Sequence, residues 1–79
     1  MLVEVTEFLV KNLVTEPDLI SVKEYDDEDT ITIEILVSSN DIGRVIGKEG
    51  KIASALRTII RAISYKNTTK KININIDSF

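Results

Sequence analysis

Apolar side chains recur at helical spacing over the first fourteen residues, with Leu2, Val5, Leu9 and Leu13 on one stripe. This predicts a helix from Leu2 to Val14, ended by Thr15-Glu16-Pro17. Val3, Val10 and Val14 add a second apolar strip, which leaves only Glu4, Glu7 and Lys11 as a polar stripe. That second strip predicts either a self-association face or a helix wedged deeply into its own domain. The period then changes to two. Ile20 and Val22 alternate with Ser21 and Lys23 over residues 19–25. Ile31, Ile33, Ile35 and Val37 alternate with Thr32, Glu34 and Leu36 over residues 30–38, so the two runs form a hairpin. Ser39, Asn40 and Asp41 supply capping side chains for a short helix running to about Ile46. A long helix follows from Lys51 to about Lys66. Ile52, Ala55, Leu56, Ile59, Ile60 and Ile63 share its apolar face, and Arg57 and Arg61 lie opposite. After a turn at 67–69, Ile72, Ile74 and Ile76 alternate with Asn73 and Asn75 as a last strand over residues 71–77.

The order is helix, strand, strand, short helix, long helix, strand. Strands joined through helices run parallel by a right-handed crossover, so the expected class is α+β: one three-stranded mixed sheet with the helices on one face. Seventy-nine residues suit a single domain over 1–79 with a thin core.

Composition narrows the chemistry. Histidine and cysteine are both absent, which removes the usual general base, thiolate metal sites and disulfides. No metal, cofactor or enzymatic activity is expected. No apolar run approaches a membrane span, so no membrane association is expected and the chain reads as soluble and cytoplasmic. The net charge of −3 conceals a segregation. Through Gly43 there are eleven acidic residues and only two lysines; from Arg44 onward there are eight basic residues and two acidic ones. A basic face that could meet a polyanion follows from that asymmetry. Asp26, Asp27, Glu28 and Asp29 read as a solvated turn, because they lack the alternating ligands and glycine of a calcium loop.

The candidate chemistry lies between the two later helices, in Gly47-Lys48-Glu49-Gly50. Its spacing is not that of a P-loop, which needs four residues between glycines and Lys followed by Ser or Thr, nor that of the dinucleotide fingerprint. Two glycines bracketing two exposed residues let another backbone approach closely, and the helix that follows offers its free amides to a phosphate. Such a helix, GxxG, helix unit resembles the KH domain, whose GxxG loop clamps the backbone of a single strand.

The resemblance covers the whole chain. Its element order is that of the type II KH fold, and the run from Asp41 to Ala53 followed by Ala55-Leu56-Arg57-Thr58-Ile59-Ile60 is similar to the KhpA family of small bacterial KH proteins. The resemblance implies sequence-tolerant binding of single-stranded RNA and post-transcriptional regulation or RNA chaperoning linked to cell division or elongation. It also implies a homodimer, or a heterodimer with a larger Jag-type KH protein. Carried onto this sequence, Gly47 and Gly50 receive the sugar-phosphate backbone, Lys48 and Lys51 supply charge, and Gly43 and Arg44 lie one turn upstream. Ile46 and Ile52 belong either to the floor under the bases or to the core. Glu49 and the acidic turn at 26–29, placed beside the groove, are expected to weaken binding. A second class of function is a protein-interaction subunit whose groove is vestigial.

Overall fold

The structure, a computed structural model, describes residues 2–79. The elements follow the predicted order: α1 (Leu2–Lys11), β1 (Ile20–Asp26), β2 (Thr30–Val37), α2 (Ile42–Ile46), a 3-10 turn (Lys48–Gly50), α3 (Lys51–Ser64) and β3 (Lys71–Ser78). The sheet order is β1-β2-β3. β1 pairs with β2 antiparallel, with Val22 opposite Ile35, and β3 pairs with β2 parallel, with Ile74 opposite Ile33.

Period-two patterning sets the faces of this sheet. Ile31, Ile33, Ile35 and Val37 of β2 and Ile72 and Ile74 of β3 are buried beneath the helices. Thr32, Glu34 and Leu36 occupy the open face, and the half-burial of Leu36 there explains why that side tolerates one apolar residue. β2 is central and donates nearly all of its helix-side face to the core, as its unbroken alternation requires.

α1 is shorter than its apolar pattern: the helix ends at Lys11, and Leu13 N–H closes a turn on the Val10 carbonyl at 2.9 Å. Val10 has no exposed surface and belongs to the core. Val14 and Leu13 pack against that core, and Val3 is half-buried. The second strip is therefore not a free face. Thr6 is buried among these residues because its Oγ1 donates to the Leu2 carbonyl at 2.8 Å, which satisfies the hydroxyl without an outside partner. The apolar residue that α1 does leave exposed is Phe8, at 68%.

α3 is rotated relative to its predicted face. Ala53, Leu56, Ile60 and Ser64 are the buried positions, whereas Ile59 is 43% exposed and Ala55 is exposed. Small Ala53 and Ser64 are among the residues this face buries, and its turn toward β3 brings Arg57 and Arg61 to that strand. The helix runs antiparallel to β3. Its start therefore lies near the Val37 end of the sheet and its end near the Asp26–Asp29 turn.

Candidate nucleic-acid interface

Four residues turn the chain between α2 and α3, and three of them have positive φ. Gly47 sits at φ 77°, ψ 173°, a region open only to glycine. A Cβ on Gly47 would fall 2.6 Å from Ile52 Cγ1 and 2.9 Å from the Ile52 backbone nitrogen. Glycine is thus demanded there twice, by dihedral and by space. Gly50 is left-handed at φ 74°, ψ 14°, and nothing lies within 4 Å of where its Cβ would be. Glu49, at φ 56°, ψ 25°, is the one described residue other than glycine with positive φ. Such strain in a non-glycine residue costs about 1–2 kcal/mol.

The turn projects Lys48 and Glu49 into solvent, and Lys51 beside them is exposed. Gly50 opens α3 without a side-chain cap, so the positive end of that helix is left uncovered at the turn. Gly43 is exposed on α2 with no atom within 4 Å of its Cβ position, and Arg44 next to it is exposed. Ile46 and Ile52 are both half-buried. Ile52 covers the Cα of Gly47 and packs against the core, so it joins the floor of the turn to the interior. The structure thus brings Gly43, Arg44, Ile46, Gly47, Lys48, Glu49, Gly50, Lys51 and Ile52 together around one turn.

Asp41 anchors this site in a way its position before α2 did not suggest. It makes no side-chain cap on α2. Its carboxylate is fully buried and reaches back to the α1–β1 connection: Oδ1 accepts from Thr15 N–H at 3.0 Å and Thr15 Oγ1 at 2.8 Å, and Oδ2 accepts from Glu16 N–H at 3.0 Å. The Thr15 amide, with smaller help from the Thr15 hydroxyl, the Glu16 amide and the Arg44 guanidinium 3.7 Å away, holds the Asp41 carboxyl below its usual range against the opposing effect of burial. Glu16 Oε1 in turn accepts from Ser38 Oγ at 3.3 Å and Asn40 Nδ2 at 3.2 Å. Ser38, Asn40 and Asp41 therefore tie the base of α2 to the chain before β1 rather than cap the helix.

The acidic turn is not beside the glycine turn. α3 separates them by about 20 Å, fourteen residues at 1.5 Å each. It meets the α3–β3 connection instead, where Lys70 Nζ pairs with Asp26 and donates to the Asp27 carbonyl at 2.7 Å. Screening over about 8 Å at physiological salt isolates its charge from Lys48 and Lys51.

Arg57 and Arg61 also lie where the pattern did not place them. Arg57 Nε donates to the Ile74 carbonyl at 3.4 Å and Arg61 Nε to the Ile72 carbonyl at 3.3 Å. The face of α3 between its start and β3 is thus bounded by the glycine turn, Arg57, Arg61 and the free edge of β3. No helix among the described residues is long and apolar enough to cross a membrane.

The fold is shared with a known structure, and the sequence with known proteins. Era, in the crystal structure of its complex with MgGDPNP and nucleotides 1506-1542 of 16S ribosomal RNA, matches 99% of this chain and 30% of its own at a TM-score of 0.69. At 18% identity that likeness is to the fold. The RNA-binding protein KhpA of Clostridium perfringens is 41% identical over 69 residues, covering 87% of this chain and 92% of that protein. The RNA-binding protein KhpA of Aquifex aeolicus is 45% identical over 63 residues and 80% of each. The KhpA/KhpB KH-domain family matches residues 3–76. The order of elements, the glycine turn and these relatives agree, and the chain belongs to the KhpA/KhpB family of KH-domain proteins.

Proposed function

We propose that the chain binds single-stranded RNA in a cytoplasmic setting, holding the sugar-phosphate backbone against the Gly47–Gly50 turn. The observation that carries this reading is the exposed turn itself, with open space over Gly43 and Gly50 and the lysines Lys48 and Lys51 beside an uncapped helix start. The relatives named as RNA-binding proteins support it. Lys48 and Lys51 supply charge to phosphates, and Arg44 extends that charge upstream. Glu49 opposes it, so a single site is weak. Participation in post-transcriptional regulation or RNA chaperoning linked to cell division or elongation belongs to the same proposal and rests on family membership.

Changing Lys48 and Glu49 together to Asp tests the clamp. Both glycines stay, and Asp adopts the left-handed conformation at position 49 more readily than Glu. Single-stranded RNA binding is expected to be lost with the melting temperature held. Wild-type affinity should fall with salt at a log–log slope of about −0.7 per phosphate contacted. Unchanged affinity in a folded double variant removes the turn from the binding site.

A second reading, pairing with another KH chain, is favoured by a different surface from the valine strip. α1 and α3 enclose a shallow trough of 260 Å³ lined by Leu9, Leu13, Ile52, Ala55 and Ile59, with Asn12 as its one polar residue. Phe8 stands exposed one turn before Asn12. Ile59→Glu should convert a concentration-dependent dimer to a folded monomer in sedimentation; a wild-type chain that is monomeric at high micromolar concentration ends this reading.

A further inference from the structure

Arg57 and Arg61 stand one turn apart on α3, and Ile72 and Ile74 stand two residues apart on β3. Four helical residues advance about 6 Å and two strand residues about 6.6 Å. A helix laid antiparallel over an edge strand therefore meets alternate carbonyls at every fourth residue. The strand presents those carbonyls outward. Lys71 N–H donates to the Asp29 carbonyl at 3.0 Å and Phe79 N–H to the Val37 carbonyl at 3.0 Å, so the odd-numbered residues of β3 bond to β2. Ile72, Ile74 and Ile76 turn their N–H and C=O groups to the free edge. Arginine occupies the first two carbonyls, and among the described residues no side chain reaches Ile76. Among the described residues, neither guanidinium has a carboxylate partner and the two NH₂ groups of each make no hydrogen bond.

An outward-facing strand residue offers a donor beside an acceptor, and this is the pattern that distinguishes one base edge from another. A strand with its phosphates on the glycine turn would lay its bases across the groove onto this edge. We infer that Arg57 and Arg61 are specificity-determining residues that suppress base reading, by covering the Ile72 and Ile74 carbonyls and presenting cationic N–H donors in their place. A guanidinium bonds the acceptors that every base carries, and its plane stacks on any base. Base discrimination is thereby confined to the nucleotide at Ile76, next to the glycine turn. This inference rests on the phosphate-clamp reading above.

Short homopolymers of A, C and U serve as probes, because A and C present an amino donor beside a ring acceptor and U presents the reverse. Wild-type affinities for the three should agree within about threefold, as in sequence-tolerant binding. Arg57→Ala with Arg61→Ala should weaken binding to all three and widen the ratio between A or C and U to about fivefold or more, since two backbone pairs become readable. Arg57→Lys with Arg61→Lys keeps the charge but loses the fork, and should widen the ratio without the general loss. Each single alanine variant should widen it at one nucleotide only, mapped with oligomers carrying one U in an A run, and this covers a double variant that does not fold. The inference is overturned if the ratios stay at wild-type values in folded variants, or if the wild type already separates A from U strongly. Failure of the clamp reading gives a different result, RNA binding that ignores the changes at Lys48 and Glu49.

Discussion

Replacing the three glycines by alanine one at a time should give three different outcomes, because each sits in a different backbone and steric setting. At Gly47 the new methyl lands 2.6 Å, 2.8 Å and 2.9 Å from three atoms of Ile52, one of them the backbone nitrogen in the first turn of α3. A flexible side-chain end could swing aside, but that nitrogen moves only if the helix start moves. The forbidden dihedral costs about 1–3 kcal/mol and the overpacking another 1–3 kcal/mol or so, about 4 kcal/mol together. A chain of this length has roughly 4–12 kcal/mol of stability in all. At about 4–8 °C per kcal/mol, Gly47→Ala should lower the melting temperature by about 15–30 °C. Gly50→Ala meets no neighbour and pays only the left-handed conformation, about 1–2 kcal/mol, so a loss of about 5–15 °C is expected. Gly43 is helical and open, and alanine there should gain about 0.5–1 kcal/mol and raise the melting temperature by a few degrees. If RNA backbone passes over α2, this more stable variant should nevertheless bind it less well. Circular dichroism melts at fixed pH and salt provide the comparison, with filter binding for affinity. Gly47→Ala melting within a few degrees of wild type, or Gly43→Ala melting well below it, would refute the account of the turn.

Glu49→Gly should raise the melting temperature by a few degrees by relieving about 1 kcal/mol of left-handed strain, and should tighten RNA binding at low salt; a lower melting temperature refutes the strain. The Asp41 carboxyl has a depressed folded pKa, so its contribution to stability is complete above the unfolded value near 3.9 and is lost as pH falls through the lower folded value. Denaturant midpoints against pH should accordingly fall more steeply below about pH 4 for the wild type than for Asp41→Asn, which should be less stable at pH 7; parallel curves would show that the carboxylate contributes nothing through its charge. Val10→Glu buries an unpaired carboxylate in the core and should unfold the chain rather than dissociate a dimer, read by loss of chemical-shift dispersion in an NMR spectrum.

Much of the architecture was legible because its signals are local and periodic. Alternation over 30–38 located the central strand and its buried face, and the two glycines around Lys48 and Glu49 located the turn. Four features were not legible, and each depends on a partner distant in sequence. Asp41 looked like a cap because a cap is the local use of an aspartate before a helix, whereas its actual partners are Thr15 and Glu16. The phase of α3 was misplaced because a helix rich in isoleucine offers two overlapping apolar faces; Ala53, small and buried, was the residue that marked the true one. Arg57 and Arg61 lie opposite the core on that wrong phase, although two arginines at i, i+4 before an alternating strand carry a spacing that fits an edge. Val10 stood between two readings because apolar surface on a helix says how much is buried and not by what; the structure gives Val10 to the core of its own domain.

The parallel pairing of β2 with β3 also sets an order of events. The β1–β2 hairpin closes over a short turn, but β3 can join β2 only after residues 38–70 have crossed over the sheet. Closing a crossover of roughly thirty residues costs about 3 kcal/mol in chain entropy before any ladder bond forms. The glycine turn lies inside that crossover, and Arg57 and Arg61 fasten α3 to the strand that ends it. Site assembly is thus expected to be a late and cooperative step in folding. Any opening that peels β3 from the sheet would dismantle the groove, because β3 supplies its free edge. Amide exchange at the turn should follow that sub-global opening rather than its own local breathing.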